Sequence, residues 1–493
     1  MKNNQSAYKL FNNLYVSLRR NCLKYVDYFV FGVIILQPIL DVISYWAVQY
    51  DYTIFTTITR FVIFTLIMAY AWVVARDKKI YYVMFVIITL FWIVHSILLA
   101  LRPYGYSAPI ADLMMYFRTL HIPLLTVAFI SIFKASVTAK NYALKAIAIN
   151  VLIIAAIVLI SYMTGSVNYA YEYAKQGIVG WFEVDNAQSA LLAIITPLAL
   201  LFAFLKNNIK LFILLAIVSA VLLISIGTKT AYYSIFITAA LFILSFVVTK
   251  MRNPLYYVAI LLFITMPVIL YSHTPLYKSD NFHKEQMALR QRQLAKTNPI
   301  PKDVIDIAYN SKPSQADQDI YIKYLPNLVN KFGLSTVKVA YHSTIDINII
   351  TDRRVKTLKY ANLLLATQPN FLIISGMEIS DFTYNNEIFD LENDFTALYY
   401  IYGILGFILY LAIFIYIFTR MAIALVKKEI TYINPELIIL SGILILSIGI
   451  AELSASVLRR PSVAIYIAFV IAYLYVLTEI RSKSTQQKND MKI

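Results

Sequence analysis

Cysteine is nearly absent: Cys22 stands alone among 493 residues, so no disulfide closes within the chain and paired-thiol redox or zinc chemistry lacks its ligands. Charge is scarce too. Asp, Glu, Lys and Arg make up 14% of the residues against 60% hydrophobic ones, a balance foreign to a soluble globular chain. Histidine numbers five, scattered and without HExxH, CxxC, GxSxG or GxxxxGK[ST] spacing. Metal-hydrolase, serine-hydrolase and nucleotide-driven chemistry therefore find no motif, and no metal or cofactor is expected. Acids are fewer than bases, giving a net charge of +16. That charge is spread over short connections rather than gathered in one basic domain, which argues against nucleic acid as a partner.

What the chain does have is apolar runs of roughly 17 to 24 residues, the length a helix needs to cross a hydrocarbon core of about 30 Å. The fold class is therefore an all-α polytopic membrane protein with roughly twelve transmembrane helices. The runs cover 28–48, 54–75, 80–101, 113–133, 143–163, 187–205, 211–226, 231–248, 255–271, 395–418, 437–453 and 462–477.

With the N-terminus cytoplasmic, the basic connections fall inside, as the positive-inside rule requires. They are RDKK at 76–79, Lys134 with Lys140, Lys206 with Lys210, Lys250 with Arg252, and Arg420 with Lys427 and Lys428. The expected organisation is a cytoplasmic tail (1–27), a bundle of about nine spans (28–271), one large extracytoplasmic loop (272–394), three further spans (395–477) and a cytoplasmic tail (478–493). Inside the loop, HKEQMALRQRQLAK and TDRRVKTLKYANLLLAT carry helical spacing and predict short helices on the outer face of the cell membrane.

Some cations break the topology rule. Arg60, Arg102, Arg118, Lys229, Arg459 and Arg460 fall outside or in the outer half of the bilayer. A buried arginine in a span faces a polar cavity or a partner rather than lipid. Asp41, His95, His121 and Glu452 share the outer halves, and Arg118 and His121, three apart, share a helix face. These groups either pair among themselves, Arg60 with Asp41 for example, or line a cationic cavity for an anion. Arginine suits phosphate because its guanidinium binds two oxygens at once. Snorkelling of Arg60 and Arg118 to headgroups is the plainer alternative.

Three short stretches add detail. The turn SIGTKTAYYS at 225–234 offers Thr228, Lys229 and Thr230 to an oxyanion. FEVDNAQSALLA brings Glu183, Asp185 and Asn186 to the mouth of a span, with Asp185 or Asn186 as helix cap. LENDF sets Glu392 and Asp394 before the tenth run; Asp394 is the expected cap, and Glu392 is the carboxylate favoured for proton transfer.

The order of QPILD (37–41), FEVDNAQSALLA, IGTKTAYY, a large outer loop with TDRR, and ENDFTALYYIYGILGFILYL resembles the O-antigen ligase and Wzy-type polysaccharide polymerase superfamily, especially its Gram-positive members. The resemblance spans most of the chain. It implies a GT-C-like helical fold that performs metal-independent transfer of a glycan from undecaprenyl pyrophosphate to an acceptor hydroxyl. It also implies cell-surface polysaccharide, capsule or cell-wall synthesis, with a flippase and a chain-length regulator as candidate companions.

By this resemblance Lys229, Arg353 or Arg354, and Glu392 and Asp394 with Gly403 and Gly406 match the family's motifs. Arg60, Arg118, Lys229, Arg353, Arg354, Arg459 and Arg460 would hold the pyrophosphate, supported by Asp41, His121, Asn186 and Glu452. Gram-negative ligases carry a histidine in the last motif; its absence here favours polymerisation or a Gram-positive transfer. The competing class is a lipid-linked oligosaccharide flippase or another polytopic carrier. The chain shows none of the related halves and midplane polar sites common in carriers.

Overall fold

The structure is a computed structural model that describes residues 2–297, 315–344, 346–426, 433–453 and 457–490. In chain order it runs α1 (Lys2–Ile35), α2 (Gln37–Gln49), α3 (Thr53–Val74), α4 (Lys79–Ala100), α5 (Pro109–Ala135), α6 (Ala139–Met163), β1 (Asn168–Tyr171), β2 (Gln176–Gly180), α7 (Asp185–Leu205), α8 (Ile209–Ile226), α9 (Lys229–Thr249) and α10 (Pro254–Ile269). There follow α11 (Pro275–Thr297), α12 (Gln315–Tyr324), α13 (Pro326–Phe332), α14 (Leu334–Ala340), α15 (Ile347–Thr351), α16 (Arg353–Ala366), α17 (Leu372–Ser375), β3 (Thr383–Tyr384), β4 (Glu387–Ile388), α18 (Asp394–Val426), α19 (Pro435–Leu453) and α20 (Pro461–Asp490).

Among the described residues eleven helical segments are long and apolar enough to cross a membrane. The protein is an all-α polytopic membrane protein. The first candidate span, Asn13–Gln49, joins α1 and α2 across a step where Pro38 opens α2 and Gln37 Nε2 donates to Val33 O at 2.9 Å. The expected border between tail and span at residues 27 and 28 thus falls inside a continuous helix. The run expected as the ninth span forms α10, an apolar helix of 16 residues and about 24 Å, shorter than the eleven. Lys427 and Lys428 lie outside the described residues.

The chain divides into two compact units, one of Met1–Ile87, Phe117–Ser279 and Tyr410–Ile493, the other of Ile88–Tyr116 and Asp280–Leu409. At the heart of the first is α7, which packs on α6, α8, α9, α19 and α20. Its residues from Ala187 to Leu201 are buried on every side, as befits a helix that is apolar all round. Lipid is as apolar as leucine, so close packing rather than water exclusion holds such helices together. Small residues, here Ser189, Ala190, Ala193, Ala199 and Ala203, let the neighbouring backbones approach. The antiparallel hairpin β1–β2, which apolarity alone did not predict, precedes α7 and rests Tyr171 Oη on Gly227 O at 3.2 Å.

The second unit holds the helices α12 to α17 around buried Leu328, Ile350, Tyr360, Leu372 and Phe389. The rings of Tyr360 and Phe389 stack with centroids 3.9 Å apart. Its most constrained feature is a break inside α18 at Gly403, where φ is 65° and ψ −173°. Met377 N donates to Tyr400 O at 2.8 Å there, so a carbonyl at the break finds its donor outside the helix, as a span in lipid requires. Gly376 and Gly403 meet backbone to backbone: a Cβ on Gly376 would stand 2.1 Å from Ile401 O, and one on Gly403 2.3 Å from Ile374 O.

Candidate functional site

Arg118 stands about 14 Å along α5 at the helical rise of 1.5 Å per residue, inside a candidate membrane span. Its side chain is exposed, and among the described residues it makes no hydrogen bond and no ion pair. Arg460, Arg60 and Arg459 lie within Coulombic range, against one acid, Glu183. Like charges beside an unpaired guanidinium in a span are costly unless an anion joins them.

Of the surrounding cations, Arg60 has an acid partner. Arg60 on α3 donates to Asp41 Oδ1 at 2.5 Å and Ser44 Oγ at 3.2 Å, both on α2. The pairing weighed as an alternative to ligand binding is thus present, and it leaves Arg60 with part of its charge already answered. Arg460 closes the approach to α20, its carbonyl accepting from Val463 N and Ala464 N, with Pro461 as first helical residue. Arg459 beside it is buried. His121 is buried next to the Phe64 ring and its Nδ1 donates to Phe117 O at 2.8 Å. Behind Arg60 and His121 the wall is apolar, formed by Leu40, Ile63, Ile67 and Leu125.

The remaining expected groups of this unit sit on helix ends. Thr228 caps α9, accepting from Ala231 N at 3.2 Å and donating to Ser189 Oγ at 2.7 Å, so its hydroxyl serves the fold. Lys229 follows as an exposed first residue of α9. Neither Asp185 nor Asn186 caps α7: Val184 occupies that position without a side-chain bond, and the two residues open the helix instead. An acid there still favours the helix's positive end. Glu452 is exposed at the end of α19.

In the second unit Asp352 caps α16 through Arg354 N and Val355 N, at 2.8 and 3.0 Å. The cap places Arg353 and Arg354 in the first turn, exposed. Their charge finds Glu392, whose carboxylate lies 2.9 Å from Arg354 Nε and 4.0 Å from Arg353 Nε. The cap of α18 is Asn393, accepting from Thr396 N at 3.1 Å, not Asp394. Asp394 is the fully buried first residue of that helix.

A denser polar cluster of this unit had escaped sequence reasoning. Arg102, grouped above with the outer cations, is buried and bonded to Glu378 and, at 2.6 Å, to Asp381. Glu378 also accepts from Ser107 N at 3.0 Å, Ala108 N at 2.6 Å and two serine hydroxyls, which sets it on the N-terminus of α5. Burial would raise its carboxyl, but the Ser107 and Ser380 bonds and the Arg102 charge outweigh it and hold the group below its ordinary range. Burial dominates for Asp381 and pushes it up.

His95 joins in, its Nε2 2.9 Å from Asp112 Oδ2 and its Nδ1 2.7 Å from Ser375 O. Breaking a buried pair of this kind costs about 3–5 kcal/mol, so the cluster fixes the unit's frame. Its partners lie some 270 positions apart in the chain. The acid spacing of EISDF, a capping box between Glu378 and Asp381, was the one local signal.

A search of the curated proteins finds no match to this chain. A family model described as an O-antigen ligase like membrane protein matches residues 24–481. The match runs from within α1 to within α20, and the chain accordingly belongs to the O-antigen ligase-like family of membrane proteins.

Proposed function

We propose that this protein transfers or polymerises glycan repeat units carried on undecaprenyl pyrophosphate at the outer face of the cell membrane, in capsule or cell-wall polysaccharide synthesis. Membership of its family implies a glycosyl-transferring membrane enzyme acting on lipid-linked glycans. The observation that carries the finer statement is Arg118, exposed in a span, bonded to no described side chain and set among Arg60, Arg459 and Arg460. A group with two phosphates and a lipid tail fits that setting. Its oxygens accept bidentate bonds from arginine, and its tail lies in the bilayer from which Arg118 is reached.

In the reaction the acceptor hydroxyl oxygen attacks the anomeric carbon of the donor glycan. The bond from that carbon to the pyrophosphate oxygen breaks, and undecaprenyl pyrophosphate leaves with the electron pair. Charge grows on the leaving phosphate oxygens, where fixed guanidinium groups stabilise it without reorganising. Arg118, Arg459 and Arg460 are assigned to this role, with Arg60 held by Asp41 as their support. Glu392 is assigned to take the acceptor's proton; it is half-buried, ion-paired with Arg354, and within reach of solvent where Asp394 is not. Lys229, Arg353 and Arg354 are assigned to the donor's approach, and a flippase and a chain-length regulator are its expected companions.

The test is reconstitution. Purified protein in nanodiscs, given undecaprenyl-pyrophosphate repeat units and a chelator, is expected to yield longer or transferred glycans on gels, and Glu392→Gln to lower the rate roughly 10²- to 10⁴-fold. Unextended glycan together with translocated lipid would instead mark a flippase.

A further inference from the structure

The first unit carries a second basic site, at the opposite end of α5 from Arg118. Where α6 begins, α7 ends and α8 begins, the structure forms an open cleft of about 480 Å³. Lys145 of α6 and Lys206 after α7 line it with Asn141, Tyr142 and Asn208. Among the described residues no carboxylate lines it and neither lysine has an ion pair. Nearby lysines differ: Lys134 lies 2.8 Å from Glu479 and Lys140 3.9 Å from Glu436. Two helices, α6 and α8, also begin beside the cleft, and their first turns carry partial positive charge. Asn208 Oδ1 accepts from Leu211 N at 3.0 Å, which leaves its amide N–H groups to donate.

The other walls are apolar. Phe202 and Leu211 line the cleft. Below it α8 presents Leu214, Ile217 and Val221 as an exposed row, spaced three and four residues apart on one helix face. A ligand that fits must carry one negative charge with several acceptor oxygens at its head and a long apolar chain behind. We propose that this cleft is a binding site for an anionic phospholipid, its phosphodiester between Lys145 and Lys206 and an acyl chain along Leu214, Ile217 and Val221. Basic clefts between spans recognise lipid headgroups in this way, each lysine near the membrane surface contributing independently.

The experiment is native mass spectrometry of the full-length protein extracted from nanodiscs of equal parts phosphatidylglycerol and phosphatidylcholine. Wild type is expected to retain phosphatidylglycerol with a preference of roughly thirtyfold, the effect of two lysines. The double variant Lys145→Gln/Lys206→Gln should lose that preference. Lys145→Arg/Lys206→Arg should keep it, with both lysines exposed and the fold unchanged. Equal retention of the two lipids by wild type, or an unchanged preference in the glutamine variant, would overturn the proposal. Displacement of phosphatidylglycerol by millimolar inorganic phosphate would also overturn it, by making the cleft a site for a soluble anion. Glycan transfer does not enter this readout, so the outcome stands apart from that of the transfer assay.

Discussion

Glycan transfer by an Arg118→Ala variant is expected to fall at least a hundredfold while the protein unfolds at its wild-type temperature. Both halves follow from one observation: the Arg118 side chain is exposed and hydrogen-bonded or ion-paired to no described residue. Removing it breaks no side-chain hydrogen bond or ion pair among the described residues, and the repulsion it relieves from Arg60, Arg459 and Arg460 outnumbers the attraction to Glu183, so stability is kept or slightly raised. Losing a preorganised donor to the leaving group costs about 10²- to 10³-fold in rate. Lysine at position 118 should restore only part of the rate, because it offers a point charge where arginine offers a fork. Arg60→Ala makes the contrast. It strands Asp41, whose Oδ2 already lacks a partner, so stability falls together with activity. Transfer rate and melting temperature measured on both variants separate ligand binding from packing.

The largest effect on folding belongs to Gly376. An added Cβ there would meet Ile401 O at 2.1 Å and Ile401 C at 2.3 Å, and φ is +89°. The obstructing atoms are backbone of α18, which cannot swing aside as a side chain can. Gly376→Ala should therefore destabilise by more than 4 kcal/mol, in the range reserved for overpacking joined to backbone strain. Little folded protein should survive extraction in detergent. Gly32→Ala, in a helix and with nothing within 4 Å of the new Cβ, should stabilise by about 0.5–1 kcal/mol. Fluorescence-detected size exclusion after a temperature series reads both variants.

The spans were legible in the sequence because a membrane imposes a length and a composition on each helix independently of the others. The ninth run forms a helix shorter than its apolar length, since α10, begun at Pro254, stops at Ile269. Local chemistry was legible in part. Thr228, offered by the sequence to an oxyanion, instead caps α9 through its near neighbour Ala231, and the cap of α18 moved from Asp394 to Asn393 by one position, which a pattern of acids cannot resolve. The Arg60–Asp41 pair was legible because adjacent helices bring residues 19 apart together. The Arg102 cluster and the Gly376–Gly403 clasp were not, since each depends on which distant backbone arrives at a turn. That Arg118 meets three arginines and a single carboxylate, Glu183, is a property of assembled helices, and composition only hinted at it.

The most direct measurement of the diphosphate assignment is ligand binding without turnover. By native mass spectrometry wild type should bind undecaprenyl diphosphate at least tenfold tighter than undecaprenyl monophosphate, since the second phosphate adds charge-assisted bonds to the arginines, and Arg118→Ala should bind the two alike. Equal binding of both lipids by wild type, or an undiminished diphosphate preference in Arg118→Ala, would contradict it.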